Sequence, residues 1–159
     1  MSAPDAGRDE GSGSAAMSRL IRVEFAVRWR DLDAFNHVNN ANFLTYLEEA
    51  RLRWLDSLGG PWIDAAVAPL LAAVQVNYRR PIGWPGSVAV ELFAERVGNS
   101  SLTFGHRIVA ADDAGCVHAD GNTVLVWIDR ASGRPCPLPA AVRAAAQPSG
   151  WIQPELPSA

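Results

Sequence analysis

The chain is short of the residues from which several kinds of site are built. It has only two cysteines, Cys116 and Cys136, and they lie too far apart in sequence for a zinc-binding spacing. With no export signal beside them, a disulfide is the disfavoured expectation. It has three histidines. His106 and His118 fall inside strand-like runs with no third ligand at metal spacing, so both read as structural. No apolar run approaches the roughly 20 residues of a membrane helix. Basic side chains do not dominate: 14 Lys and Arg stand against 17 Asp and Glu, a net charge of -3. That excludes a nucleic-acid surface built on global charge, and any anionic ligand has to be held by a local cluster. No Gly-x-Ser-x-Gly turn is present, which argues against the α/β-hydrolase route. No internal repeat is visible.

What the chain does have is enough apolar sequence for one core. Its 159 residues suit a single domain, and 48% hydrophobic with 19% charged is a globular balance. Residues 1–19 are expected to be a disordered tail, rich in Gly, Ser, Ala and Asp and without the apolar stretch of a secretory signal. Met17 is a candidate start. Residues 20–146 are the expected domain, and residues 147–159, with three prolines, a loose end. The expected location is cytoplasmic.

Ile21, Val23, Phe25, Val27 and Trp29 alternate with Arg22, Glu24, Ala26, Arg28 and Arg30, which predicts a strand with one buried face. Residues 31–40 read as a loop. From Ala41 to Leu58 the apolar spacing is helical, through Phe43, Leu47, Ala50, Trp54 and Leu58. Leu44, Leu52 and Leu55 widen that stripe, so the helix is expected to be wrapped by other elements. Gly59-Gly60-Pro61 ends it. Residues 62–71 fit either a short helix or a covering loop. Strands are predicted over 73–80, 87–97, 101–111 and 116–128, following one another as a meander, then a short helix over 140–146. One helix against a five-stranded antiparallel sheet is an α+β domain.

The chemistry concentrates in the loop between the first strand and the helix. Two acids, Asp31 and Asp33, precede His37 and the asparagines Asn36, Asn39 and Asn40. A carboxylate beside a helix N-terminus suits attack on a carbonyl. The acid acts as base or nucleophile, and free helix amides stabilise the oxygen that becomes negative. Asp33 is the candidate, against the plainer reading of a turn aspartate bonding nearby amides. Asp31 reads as a structural partner for Arg28, Arg30 or local amides. His37 is either a donor to the carbonyl or a loop histidine. Asn39 and Asn40 are caps that also hold the amides of residues 38–40 in place. Glu49 is either a second acid in the site or a partner for Arg51 or for an arginine across a dimer. Arg79 and Arg80 suit phosphate oxygens, unless they are solvated or engaged in a salt bridge.

The run Asp33-Ala34-Phe35-Asn36-His37-Val38-Asn39-Asn40, followed by Phe43, Tyr46 and Glu49-Ala50-Arg51, resembles the D-x-x-G-H-V-N-N-x-x-Y-x-x-Y-x-E-x-A-R pattern of the 4-hydroxybenzoyl-CoA thioesterase-like family. Asn77-Tyr78-Arg79-Arg80-Pro81, Val97-Gly98-Asn99-Ser100-Ser101 and Asp129-Arg130-Ala131-Ser132-Gly133-Arg134-Pro135 are similar to it as well. Long agreement in order is more specific than any one short motif. The resemblance implies a hotdog fold, a long central helix wrapped by the sheet. It implies a homodimer, often paired into a tetramer, with the active site at the subunit interface. The implied activity is hydrolysis of an acyl-CoA thioester to a carboxylic acid and free coenzyme A, with no metal or redox cofactor, no nucleic acid and no membrane insertion. Asp33 aligns with the family's catalytic aspartate. His37, Asn39 and Asn40 then belong to the catalytic group, with Glu49 as a possible second acid. Val38, Tyr78, Arg79, Arg80, Ser100 and Ser101 are the expected substrate contacts. Two departures stand out. The family's usual glycine before the histidine is Asn36, which tolerates a left-handed backbone. Where another branch uses a tyrosine and a histidine, this chain has Trp29 and Asn40. A non-catalytic acyl-CoA-binding or sensing module, and a hotdog hydratase or dehydratase, are the alternatives.

Overall fold

A computed structural model describes residues 18–147, so Met17 and most of the two expected tails lie outside the described residues. Strand β1 (Arg19–Ala26) leads through a 3-10 turn (Trp29–Asp31) and a loop into α1 (Asn40–Asp56). Then come β2 (Val67–Tyr78), β3 (Ser87–Val97), β4 (Ser101–Ala110), β5 (Val117–Asp129) and the short α2 (Ala140–Ala146). One five-stranded antiparallel sheet results, in the order β1-β3-β4-β5-β2.

The expected four-strand meander needs correcting. Only β3, β4 and β5 follow one another; β2 pairs with β5 at the far edge instead of with β3. The cause is α1, which lies over the inner face of the sheet and carries the chain from the β1 side to the opposite edge. The stretch that fitted a short helix or loop supplies the first part of β2. Its signal is weak because β2 is an edge strand with mostly exposed side chains and a proline, Pro69, that an edge tolerates. The other correction is β1, which stops at Ala26. The Asp31 carboxylate folds back onto Arg28, and Trp29 turns out to solvent, 67% exposed, instead of joining the buried face.

Helix α1 buries Phe43, Tyr46, Leu47, Ala50, Trp54 and Leu55, with the Trp54 ring edge-on to Phe104 at 5.3 Å. It is not wrapped all round. Leu44 and Leu52 are exposed, as are Leu70, Leu71 and Val74 on β2. At Gly121, φ is 152°, and a Cβ there would run into the Gln75 carbonyl of β2. Glycine lets the edge strand close on β5.

Candidate active site

The two acids of the loop have opposite surroundings. Asp31 is buried. Its carboxylate accepts the Arg28 amide at 2.9 Å, Arg28 Nε at 3.1 Å and the Tyr46 hydroxyl at 2.8 Å. Burial alone would push its pKa up, but these bonds outweigh burial and hold it below the usual carboxylate value. The Asp31 carbonyl in turn accepts the Asn39 amide at 2.8 Å and Asn42 Nδ2 at 2.9 Å. Asp31 therefore pins both ends of the loop. Its partner is Arg28, one of the two arginines expected, and the Tyr46 and Asn42 contacts complete the clamp.

Asp33 is half-buried and faces outward. The Asp33 amide donates to the His37 carbonyl at 2.8 Å, and the Asn36 amide to the Asp33 carbonyl at 3.1 Å. This tight turn needs one left-handed residue, and Asn36 supplies it with φ 62°. The Phe35 amide donates to Asp33 Oδ1 at 2.8 Å. The turn-aspartate role is thus real, but it engages one carboxylate oxygen. The other has no hydrogen-bond partner among the described residues.

An open cavity of about 410 Å³ lies against this turn. It brings together Asp33, His37, Val38, Asn40, Tyr78, Arg79 and Arg80, seven of the residues picked out in the sequence. Phe43 also lines it, its ring set edge-on to Tyr78 at 5.0 Å, and the Tyr78 hydroxyl donates to the Asn40 carbonyl at 3.3 Å. The positive end of α1 opens here.

The amides of residues 38–40 do not all remain available. The Val38 amide donates to the Ile82 carbonyl at 2.9 Å, and that of Asn39 to Asp31. Asn40, the first helical residue, keeps an amide with no partner among the described residues. The Asn39 side chain caps α1 by accepting the Ala41 amide at 2.9 Å, and Asn39 does not line the cavity. The two arginines also separate. Arg79 is bound by both oxygens of Asp120, at 2.8 and 3.0 Å, so its guanidinium is already engaged. The Arg80 guanidinium has no such partner among the described residues.

Three expected residues lie elsewhere. Ser100 and Ser101 sit in the β3–β4 hairpin, and neither lines this cavity. Glu49 is on the exposed side of α1 in an ion pair with Arg53, and it does not line this cavity. Glu48, one residue earlier, lines a separate groove beside the half of α1 that follows Phe43. The helical period could have shown this, because Glu48 is four residues from both Leu44 and Leu52. His118 Nδ1 lies 3.1 Å from the Pro81 carbonyl, and His106 is buried under the sheet. Both cysteines are free.

Residues 27–146 match the model of the Thioesterase-like superfamily. The chain is 51% identical to the structure of a putative acyl-CoA thioesterase from Xanthomonas campestris, covering 71% of this chain and 96% of that one at a TM-score of 0.66. A thioesterase from Thermus thermophilus, solved with coenzyme A and Zn, is 38% identical over 83% of this chain and 99% of its own, with a TM-score of 0.68. The long-chain acyl-CoA thioesterase FadM of Escherichia coli is 29% identical over 111 residues, 69% of this chain and 83% of that protein.

Proposed function

The chain belongs to the thioesterase-like superfamily, and from that premise we propose that it is a hotdog-fold acyl-CoA thioesterase, hydrolysing the thioester to a carboxylic acid and free coenzyme A. The observation that carries the proposal is the convergence of Asp33, His37 and the free Asn40 amide on one cavity at the start of α1.

The Phe35 amide fixes the Asp33 carboxylate in orientation, and its second oxygen faces the substrate. Asp33 either activates a water or attacks the carbonyl to form a mixed anhydride. The Asn40 amide, at the positive end of a 17-residue helix, stabilises the oxyanion, with His37 as a second donor. Tyr78 and Phe43 shape the wall beside the acyl group. Arg80 meets a phosphate of coenzyme A, while Arg79 is held by Asp120 and sets the rim of the cavity. The chemistry proposed needs no metal or redox cofactor.

A homodimer, paired into a tetramer, belongs to the same proposal. The 12-residue strand β2 is an edge strand with exposed Leu70, Leu71 and Val74 beside its unpaired backbone. Such an edge favours covering by another chain. Cytoplasmic location is also proposed, on the family resemblance alone.

The test is release of coenzyme A thiol from a panel of acyl-CoAs, with binding followed in parallel. Turnover of at least one member is expected. Tight binding across the panel with no thiol release would favour a binding module instead.

A further inference from the structure

Two tryptophans stand side by side in solvent. Trp29 is 67% exposed and Trp84 47%. Their rings meet edge to face, with centroids 5.3 Å apart and planes at 80°, so together they form a corner. A pair that served only packing would be buried, whereas exposed apolar surface gathered in one place marks a contact site. Both residues are held by their backbone. Trp29 opens the 3-10 turn, where the Asp31 carboxylate grips the Arg28 amide. Trp84 lies in a turn tied at both ends, since the Val38 amide donates to the Ile82 carbonyl and the Val27 amide to the Gly86 carbonyl, each at 2.9 Å. The corner is therefore set in place before any ligand arrives.

Its position relates it to the candidate active site. Val38 and Pro81 line that cavity, and Ile82, which Val38 binds, is the next residue of the chain. The corner thus begins where the cavity wall ends. It sits at the β1–β3 end of the sheet, because Val27 follows β1 and Gly86 leads into β3. β1 and the open edge strand β2 are four strand spacings apart, roughly 19 Å, so a second copy seated on the β2 edge occupies the other side. Two guanidinium groups accompany the route from cavity to corner, and neither has a partner among the described residues. Arg80 lines the cavity, and Arg30 is exposed beside Trp29. In a chain of net charge -3 they offer the local attraction that an anionic ligand needs.

We propose that the Trp29–Trp84 corner is the seat of the adenine of coenzyme A, with Arg80 and Arg30 on the phosphates around it. This rests on the acyl-CoA reading above and adds where the nucleotide lies. With the thioester at Asp33, the pantetheine arm carries the nucleotide out of the cavity past Arg80. Adenine is flat, with apolar faces and a polar rim. It stacks on one indole and sets its edge against the other, and such stacking needs no hydrogen-bond partner from the protein. A lipid surface is met by rings that project in one direction, whereas two rings at 80° make a slot for one flat molecule.

The test compares KM and kcat for one short acyl group carried on coenzyme A and on pantetheine, which lacks the nucleotide. Wild type, W29A, W84A, W84F and W84L are measured. In W29A and W84A, KM for the acyl-CoA should rise at least about fivefold, the low end for losing a base stack. Their kcat should stay within about twofold, and so should KM for the acyl-pantetheine. W84F keeps a stacking face and should recover most of the loss. W84L is apolar but has no such face and should not, which a packing role would not predict. Equal KM changes on the two substrates, or W84L matching W84F, overturn the inference. So does an unchanged KM, and if W84A then also loses binding to anionic phosphatidylglycerol vesicles, the pair belongs to a lipid surface. A wild type that turns over no acyl-CoA removes the thioesterase reading instead. Calorimetry with adenosine 3',5'-bisphosphate then tests the corner by itself: binding weakened at least about fivefold in W84A supports it, and equal binding by wild type and W84A removes it.

Discussion

Removing the Asp31 carboxylate should be expensive although it never touches substrate. In Asp31→Ala the Arg28 amide loses a 2.9 Å acceptor and the buried Tyr46 hydroxyl a 2.8 Å one. The Arg28 side chain is half exposed, so its ion pair with Asp31 contributes little after screening. The other two bonds end on a charged group, each contributing about 1.5–3 kcal/mol. A loss of roughly 3–5 kcal/mol follows, within the range for breaking a buried charged contact. For a domain of this size that lowers Tm by roughly 10–15 °C. Tyr46→Phe should cost about 2 kcal/mol in wild type, and much less where Asp31 is already alanine, because its partner is gone. Asp31 has a folded pKa below its unfolded value, so its stabilisation is full above the unfolded pKa and fades as pH falls through the folded one. The gap between wild type and Asp31→Ala should therefore narrow in acid below about pH 4. Urea unfolding of the four proteins of this cycle at pH 7, with wild type and Asp31→Ala repeated in acid, reads all of this. A cost for Asp31→Ala under about 1 kcal/mol, or a Tyr46→Phe cost independent of Asp31, would refute the clamp.

Two further outcomes concern charge. Arg80→Ala should raise KM for acyl-CoA about three- to tenfold with kcat within about twofold, since phosphate binding is alike in ground and transition states. Arg79→Ala should change KM less, because Asp120 already holds that guanidinium, and an unchanged KM in Arg80→Ala would remove the phosphate contact. His106 is kept neutral, its pKa pushed down to about 4 by burial and then by Arg51. The unfolded chain then binds the proton more readily, so stability should fall as pH drops from about 6.5 toward 4, by up to roughly 3 kcal/mol. Urea midpoints across that window should flatten in His106→Gln, and an equal slope in that variant would show that another group is responsible.

Local pattern carried much of this molecule. Strand β3 and helix α2 fall on the residues their apolar spacing and turns predict, and Asn36 takes the left-handed turn usually given to glycine. Seven candidate residues meet in one cavity because a single loop and the end of β2 supply them. What the sequence hid was set by long-range contacts. Trp29 continued an alternating pattern, but the Asp31 carboxylate captured the Arg28 amide and ended the strand. Nothing local announced that Ile82 and Asp31 would use up the Val38 and Asn39 amides, leaving the one at Asn40. Asp120 lies 41 residues from the Arg79 that it binds, and only the β2–β5 pairing brings them together. Glu49 and Glu48 differ by one helical step, and the packing of α1 decides which of them lines the groove and which pairs with Arg53.

The most direct measurement is kcat for thiol release by Asp33→Asn, on the best acyl-CoA of the panel. Asparagine keeps an oxygen for the Phe35 amide, so the turn, circular dichroism spectrum and oligomeric state should be those of wild type. Loss of the base or nucleophile should lower kcat by about two to four orders of magnitude. A correctly folded Asp33→Asn protein with wild-type kcat would contradict the assignment of Asp33 as the catalytic acid.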